Sequence, residues 1–318
     1  MISVKPIRVA YNGKLDDLLI EIEDNKYPTN PTAPSEGFGS LQDEMAVVNS
    51  STEMVFRPGT ARIEDPGNGA PRRLRVRYYY DVLNKTLLRL LGQHSDWKAT
   101  YVRKAFDITV YENTGEDGTS VLVSARDAPT VKNPVTNAVK AMFPSFGPGG
   151  VSMEMDTIPE SVISDFFLWI LYRFQMTQQL APDVSISWVE EMASKDGMRR
   201  GARFTDDAAF GRVDLSSLIA GGNAHFGPAK IEIRDASLDA NFSLEIHFDG
   251  GFVVYRSSHY AGIHHSSEYL GLALSDDLWI TVLPKIRDEY NKDTEWTSVG
   301  RDKLTELARE TIRASLNF

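Results

Sequence analysis

Four of the six histidines fall within 19 residues, at His247, His259, His264 and His265, and Glu268 follows closely. His264 and Glu268 are four residues apart, so on a helix they share a face and suit a single metal ion. His247, on the polar face of an expected strand, would supply a third ligand. A divalent metal held this way keeps an open position and activates a bound water, which is hydrolytic chemistry. The plainer account is a serine-rich surface loop, because Ser257, Ser258, Ser266 and Ser267 surround these histidines. No HExxH or related signature accompanies them.

A second arrangement has the outline of a metal-dependent nuclease, in which one acid precedes a strand bearing Glu-x-Lys. Asp214 precedes Lys230-Ile231-Glu232-Ile233-Arg234, where Glu232 and Arg234 share a face. Arginine stays protonated and replaces poorly a lysine that must manage a proton. Alternating charges on a half-buried strand account for the same residues.

The third is electrostatic. Between Arg72 and Lys104 stand nine Lys or Arg against two acids, in a chain whose net charge is -10, so the remainder carries -17. Arg72, Arg73, Arg75 and Arg77 run into Tyr78, Tyr79 and Tyr80. Arginine for phosphates with aromatics for bases is how single-stranded nucleic acids are bound, and Arg199, Arg200 and Arg203 would extend the surface. Arg72, Arg73, Arg75, Arg77, Tyr78 and Tyr80 are therefore the expected residues for an anionic partner. The strongly negative total and the lack of a recognised RNA-binding motif weigh against nucleic acid. The same asymmetry suits a surface on which one copy docks to the acidic face of another.

Other signals are weaker. The pairs Asp16-Asp17, Glu190-Glu191, Asp206-Asp207 and Asp276-Asp277 point to opposite faces if they lie on strands, and the last suits a helix start. Neither Gly147-Pro148-Gly149-Gly150 nor Gly221-Gly222 has phosphate-loop spacing, and there is no GxSxG. The absence of cysteine excludes disulfides, thiolate zinc sites, iron–sulfur clusters and cysteine nucleophiles.

The elements that must position these residues are read from periodicity. Ile7, Val9 and Tyr11 alternate, as do Leu18, Ile20 and Ile22, which predicts two strands around Asn12-Gly13. Residues 26–71 are rich in Pro and Gly without periodicity and form a long arm or loop, with Met45 to Val48 and Met54 to Phe56 apolar enough to pack. Tyr79, Val82, Leu83, Leu87, Leu90 and Leu91 are spaced for a helix over 76–91 that stops at Gly92. On a helix, cations at its start oppose the dipole. Phe106 to Val110 and Val121 to Val123 predict a hairpin, and the breaker-rich stretch 129–150 a boundary.

Beyond it, Thr157 and Glu160 form a capping box, with Pro159 in the first turn, before a helix that is apolar nearly all round. Strands are expected over 185–189 and 230–234. A hairpin is expected over 242–255, with Phe242, Leu244, Ile246 and Phe248 facing the core. A helix near Ser275 meets Pro284, which should kink or divide it. The last helix turns Leu304, Leu307, Ala308, Ile312 and Leu316 inward.

The fold expected is α+β, with antiparallel sheets packed against a few long helices. Two subdomains are expected, at 1–150, which includes 26–71, and at 151–318. With 42% hydrophobic and 25% charged residues the chain is globular. It shows no signal peptide and no apolar run approaching the roughly 20 residues needed to span a bilayer, so the expected compartment is the cytoplasm. The function expected is a non-catalytic binding or assembly protein, self-associating or joining another protein through residues 72–104 and acidic surfaces. The alternatives are the metal-dependent hydrolase or nuclease and the nucleic-acid binder. No cofactor is expected beyond a candidate divalent metal, and no membrane partner.

Overall fold

The computed structural model describes residues 1–39, 61–67, 70–92, 96–112, 119–125, 132–143, 153–154, 164–195, 201–204, 212–222, 224–248, 250–262 and 267–316. It is an α+β fold built on antiparallel strands, and its chain separates into two compact units, each described by itself.

The first unit comprises Ile2–Asp156 with Ser266–Leu272. Its elements are β1 (Ile2–Val9), α1 (Leu15–Asp24), β2 (Glu36–Gly39), β3 (Arg62–Glu64), β4 (Arg73–Leu83), α2 (Lys85–Leu91), α3 (Trp97–Thr100), β5 (Tyr101–Tyr111), β6 (Thr119–Ala125), α4 (Lys132–Met142) and β7 (Met153–Glu154). The strands run β1-β6-β5-β4, with the short β7 pairing with the end of β1, and β2 and β3 in tandem along the outer edge of β4. One face of this sheet carries Ile7, Val76, Tyr78, Ile108 and Val123 into a core closed by α1 and α4.

Two expectations change here. The stretch expected as a second strand is the helix α1. Its apolar residues Leu15, Leu18 and Ile22 are buried at helical spacing, while Ile20 is 63% exposed. Asp16 and Asp17 sit in its first turn, where the helix dipole favours them. The helix expected over 76–91 begins only at Lys85, and the residues before it form the eleven-residue strand β4. Leu74, Val76, Tyr78 and Tyr80 point into the core, whereas Arg73, Arg75 and Arg77 occupy the other face, a period of two. Asn84 marks the switch. Its side-chain oxygen accepts from the backbone N–H groups of Thr86 and Leu87, capping α2. Gly92, with φ 84°, ends it as expected.

The second unit comprises Thr157–His265 and Ala273–Phe318 with Met1. It contains α5 (Ser164–Met176), β8 (Gln179–Ala181), β9 (Val184–Lys195), β10 (Gly201–Phe204), α6 (Val213–Gly221), β11 (His225–Asp235), β12 (Ala240–Ile246), β13 (Phe252–Val254) and β14 (His259–Tyr260). The helix α7 (Ser267–Asp277), whose residues up to Leu272 belong to the first unit, then runs through a wide-turn segment, Leu278–Val282, into α8 (Leu283–Lys292). A second wide-turn segment, Trp296–Gly300, leads into α9 (Arg301–Ser315). The strand order is β10-β9-β11-β12-β13, with β8 on β9 and β14 on β12. Helical backbone continues from α7 through the wide-turn segment into α8, and Pro284 stands in the first turn of α8, directly after that segment.

The apolar helix α5 is buried through Phe166, Phe167, Trp169, Ile170, Leu171 and Tyr172, and packs on β9 and β11. Gly227 permits that approach, since a Cβ there would lie 2.2 Å from the Phe167 ring. The capping box at Thr157 and Glu160 lies outside the described residues. The described start of α5 is tied down by Asp165, which accepts from Tyr290 Oη at 2.8 Å, Trp296 Nε1 at 2.9 Å and Arg301 Nη2 at 2.8 Å. Burial alone would raise the pKa of Asp165, but these donors hold it below the ordinary carboxylate range. Leu304 and Ala308 of α9 are buried as expected, whereas Leu316 is 57% exposed. Among the described residues no helix is long and apolar enough to cross a membrane.

Candidate assembly surface

The basic run from Arg72 to Lys104 divides into two environments. On β4, alternation places Arg73, Arg75 and Arg77 on one face, and neighbouring strands supply an acid for each. Glu64 of β3 accepts from Arg73 Nε at 2.9 Å and from Arg75 Nε at 2.8 Å. Asp107, directly across the ladder on β5, accepts from Arg77 Nε at 2.6 Å and Nη2 at 3.0 Å, a two-point clamp. The Arg77 side chain is wholly buried. Burial would lower its pKa, but Asp107 more than offsets this and keeps the guanidinium charged. Burial likewise would raise the pKa of Glu64, and Arg75 and Arg73 pull it below the ordinary range. Further along, Asp81 receives Arg103 Nε at 3.2 Å and Tyr27 Oη at 2.6 Å.

Of the residues expected to meet an anionic partner, Arg77 and Tyr78 are therefore interior, Arg75 is 5% exposed and Tyr80 9%. Arg72 is half-buried and pairs with Glu112 at 3.0 Å. The arginines among them pair with acids of their own unit. With β4 a strand, the supposed conflict between the arginines and a helix dipole also disappears.

The C-terminal part of the run is different. None of the side chains of α2 is buried. Leu83, Leu90 and Leu91 are exposed, Leu90 by 75%, and so are Lys85, Arg89 and Lys98. Among the described residues neither Lys85 nor Arg89 has an acidic partner. Trp97 at the head of α3 is half-buried, its ring edge-on to Tyr101, with Lys98 Nζ 6.0 Å from its centre. Cations interleaved with exposed leucines make an amphipathic platform with no covering element among the described residues. Single exposed leucines are ordinary on a surface, whereas here three fall within nine residues.

The metal and nuclease constellations fall elsewhere. His247 follows β12, half-exposed, its Nε2 3.9 Å from Glu245. His259 pairs across from Asn241, at the other end of β12 from His247; six residues of extended strand are about 20 Å, too far for one metal. His264 lies outside the described residues, and Glu268 falls on α7. Among the described residues no group of three His, Asp or Glu is placed to hold a metal ion. Asp214 stands in the first turn of α6, held by Arg212 Nη2 at 2.9 Å, and Glu232 lies on the polar face of β11. Arg234 is committed to Asp239 at 3.3 Å.

That polar face holds one cluster that sequence spacing did not reveal. A bulge where β9 meets β11 breaks the alternation at Glu190 and Glu191. Lys230 reaches Glu190 at 2.6 Å and lies 4.4 Å from the centre of the Tyr255 ring. Tyr255 donates to Glu245 at 2.8 Å, and Arg203 pairs with Glu191. Burial and the Glu245 carboxylate push the Tyr255 hydroxyl well above its ordinary pKa, so it stays protonated and serves as a donor. The acids expected to diverge are thus gathered near Lys230, with Glu190 paired to it and Glu191 to Arg203.

No protein-family model matches the chain, and no curated protein matches it.

Proposed function

We propose that this chain is a non-catalytic, cytoplasmic binding and assembly protein, whose copies associate through the basic α2–α3 surface and the acidic surface of a neighbour. The observation that carries the reading is Leu90, 75% exposed beside Lys85 and Arg89, on a chain whose residues outside 72–104 carry a net charge of -17. Burying an exposed leucine gives roughly 1.5–3 kcal/mol, and opposed charges around it speed encounter and fix orientation. The arginines of β4 contribute indirectly, because their pairing with Glu64 and Asp107 holds the strand from which α2 projects.

Native mass spectrometry of the untreated protein at low and moderate salt tests this. The expected result is a defined oligomer at low salt that weakens as salt rises, since exposed charge pairs are screened. A monomer at both salts carrying a stoichiometric divalent metal would sink the reading and move attention to His247, His264 and Glu268.

A further inference from the structure

Two surfaces of the first unit answer one another. On α1, Ile20 is 63% exposed, and its helix neighbours at four and three residues on either side are Asp16, Asp17, Glu23 and Asp24. All four carboxylates are at exposed residues. Their local partners are surface ones: Asp16 lies 3.9 Å from Arg72, Glu23 pairs with Lys26, and Asp17 accepts the Lys14 backbone N–H at 3.3 Å. An isoleucine ringed by acids is the charge inverse of Leu90 beside Lys85, Arg89 and Lys98.

We infer that the α2–α3 platform of one copy docks on the acid-ringed Ile20 face of α1 in a second copy. The inference deepens the assembly reading and rests on it. The occupant follows from charge and exposure together. Both surfaces are exposed in the same copy, so neither covers the other within it. Two α2 platforms brought face to face would oppose cation to cation, and two α1 faces acid to acid, so a symmetric pairing of either surface repels itself. Only unlike faces are complementary, so every contact joins the α2–α3 platform of one copy to α1 of another. Two such contacts made at once between the same two copies close a two-fold dimer; a single contact leaves each copy one unsatisfied face of each kind, and growth continues until the rotation closes a ring or leaves an open filament. An anionic lipid surface would suit the leucines, Trp97 and the cations as well. The net charge of -10 opposes approach to such a surface, whereas the same negative charge supplies the complement in a second copy.

Complementation by mixing tests the inference. One variant, Arg89→Glu with Leu90→Glu, loses the basic face and keeps α1. The other, Ile20→Lys with Asp24→Lys, loses the acidic face and keeps α2. All four positions are exposed, and unchanged urea midpoints check that both variants fold. In sedimentation velocity at low salt, each variant alone is expected to be monomeric, at least about tenfold weaker in association than wild type. The mixture is expected to form a 1:1 dimer that grows no further, because one intact face of each kind remains. If the α1 variant assembles like wild type while the α2 variant does not, α1 is not the partner, and the inference fails while the assembly reading stands. If wild type stays monomeric at high concentration and low salt, both fail. Leu90-dependent binding of monomeric wild type to phosphatidylserine vesicles would overturn both in favour of a lipid surface.

Discussion

Arg77 and Arg89 belong to one basic run, twelve residues apart, and reach opposite ends of the range open to a cation. Arg77 is wholly buried and clamped by Asp107, whereas Arg89 projects into solvent beside Leu90. The difference lies in the neighbouring strand rather than in the run itself. Where β5 and β3 supply Asp107 and Glu64 in register, a positive segment becomes internal structure. Where the chain leaves the sheet at Asn84, the charge remains at the surface and available. A cluster of basic residues thus identifies a binding surface only after its internal partners have been subtracted.

The largest test of that contrast is Asp107→Asn. It leaves the Arg77 guanidinium buried without its counter-charge and is expected to cost about 3–5 kcal/mol in urea unfolding. Replacing both members, Arg77→Met with Asp107→Leu, should recover most of the loss, since a matched apolar pair leaves no buried charge. Next is Glu64→Gln, which weakens the clamp on Arg73 and Arg75 and should cost about 1–3 kcal/mol. Its pH signature is specific. The folded pKa of Glu64 is depressed, so its stabilisation is present above the ordinary glutamate range and is lost as pH falls through the lower folded value. The variant should therefore lose less stability than wild type on acidification, measured by unfolding across an acid pH series. Asn84→Ala removes the cap on α2 and should cost about 1 kcal/mol, with reduced amide-exchange protection confined to α2. Smallest is Leu90→Glu, expected to change stability by no more than about 0.5 kcal/mol while abolishing association. A large stability loss there would show that Leu90 belongs to the fold rather than to a docking surface.

What could be read beforehand depended on which period dominated. The hairpins β5–β6 and β12–β13, the apolar helix α5 and the amphipathic α9 were legible because their apolar residues follow a single period for long enough. Over α1 the strand expectation fails because Leu18, Ile20 and Ile22 fit a period of two as well as a helical one. Leu15, and the acids in the first turn, were the signal for a helix. Over β4 the helix expectation fails because Tyr79, Val82 and Leu83 imitate helical spacing. The strict alternation of Arg73, Arg75 and Arg77 with Leu74, Val76 and Tyr78, broken by Asn84, marked a strand followed by a capped helix. The site was less legible than the fold. Pairing of Arg77 with Asp107, thirty residues away, depends on strand register, and so does the bulge that gathers Glu190 and Glu191 near Lys230. The platform itself had no such signal, because Leu87, Leu90 and Leu91 stand at i, i+3 and i+4, the spacing of a buried helix face, and yet Leu90 and Leu91 are exposed.

The Asp165 junction has a consequence for synthesis of the protein. Its three donors come from residues 125, 131 and 136 positions later in the chain. At roughly 5–20 residues per second, a ribosome that has just made α5 needs on the order of ten seconds to reach Arg301. Throughout that interval α5, the described helix with the most buried side chains, has an aspartate at its start and none of those partners, and the strands it will cover are still being made. The nascent second unit is accordingly the part of this protein with most to gain from a chaperone, and a chain halted before Tyr290 should be held by one.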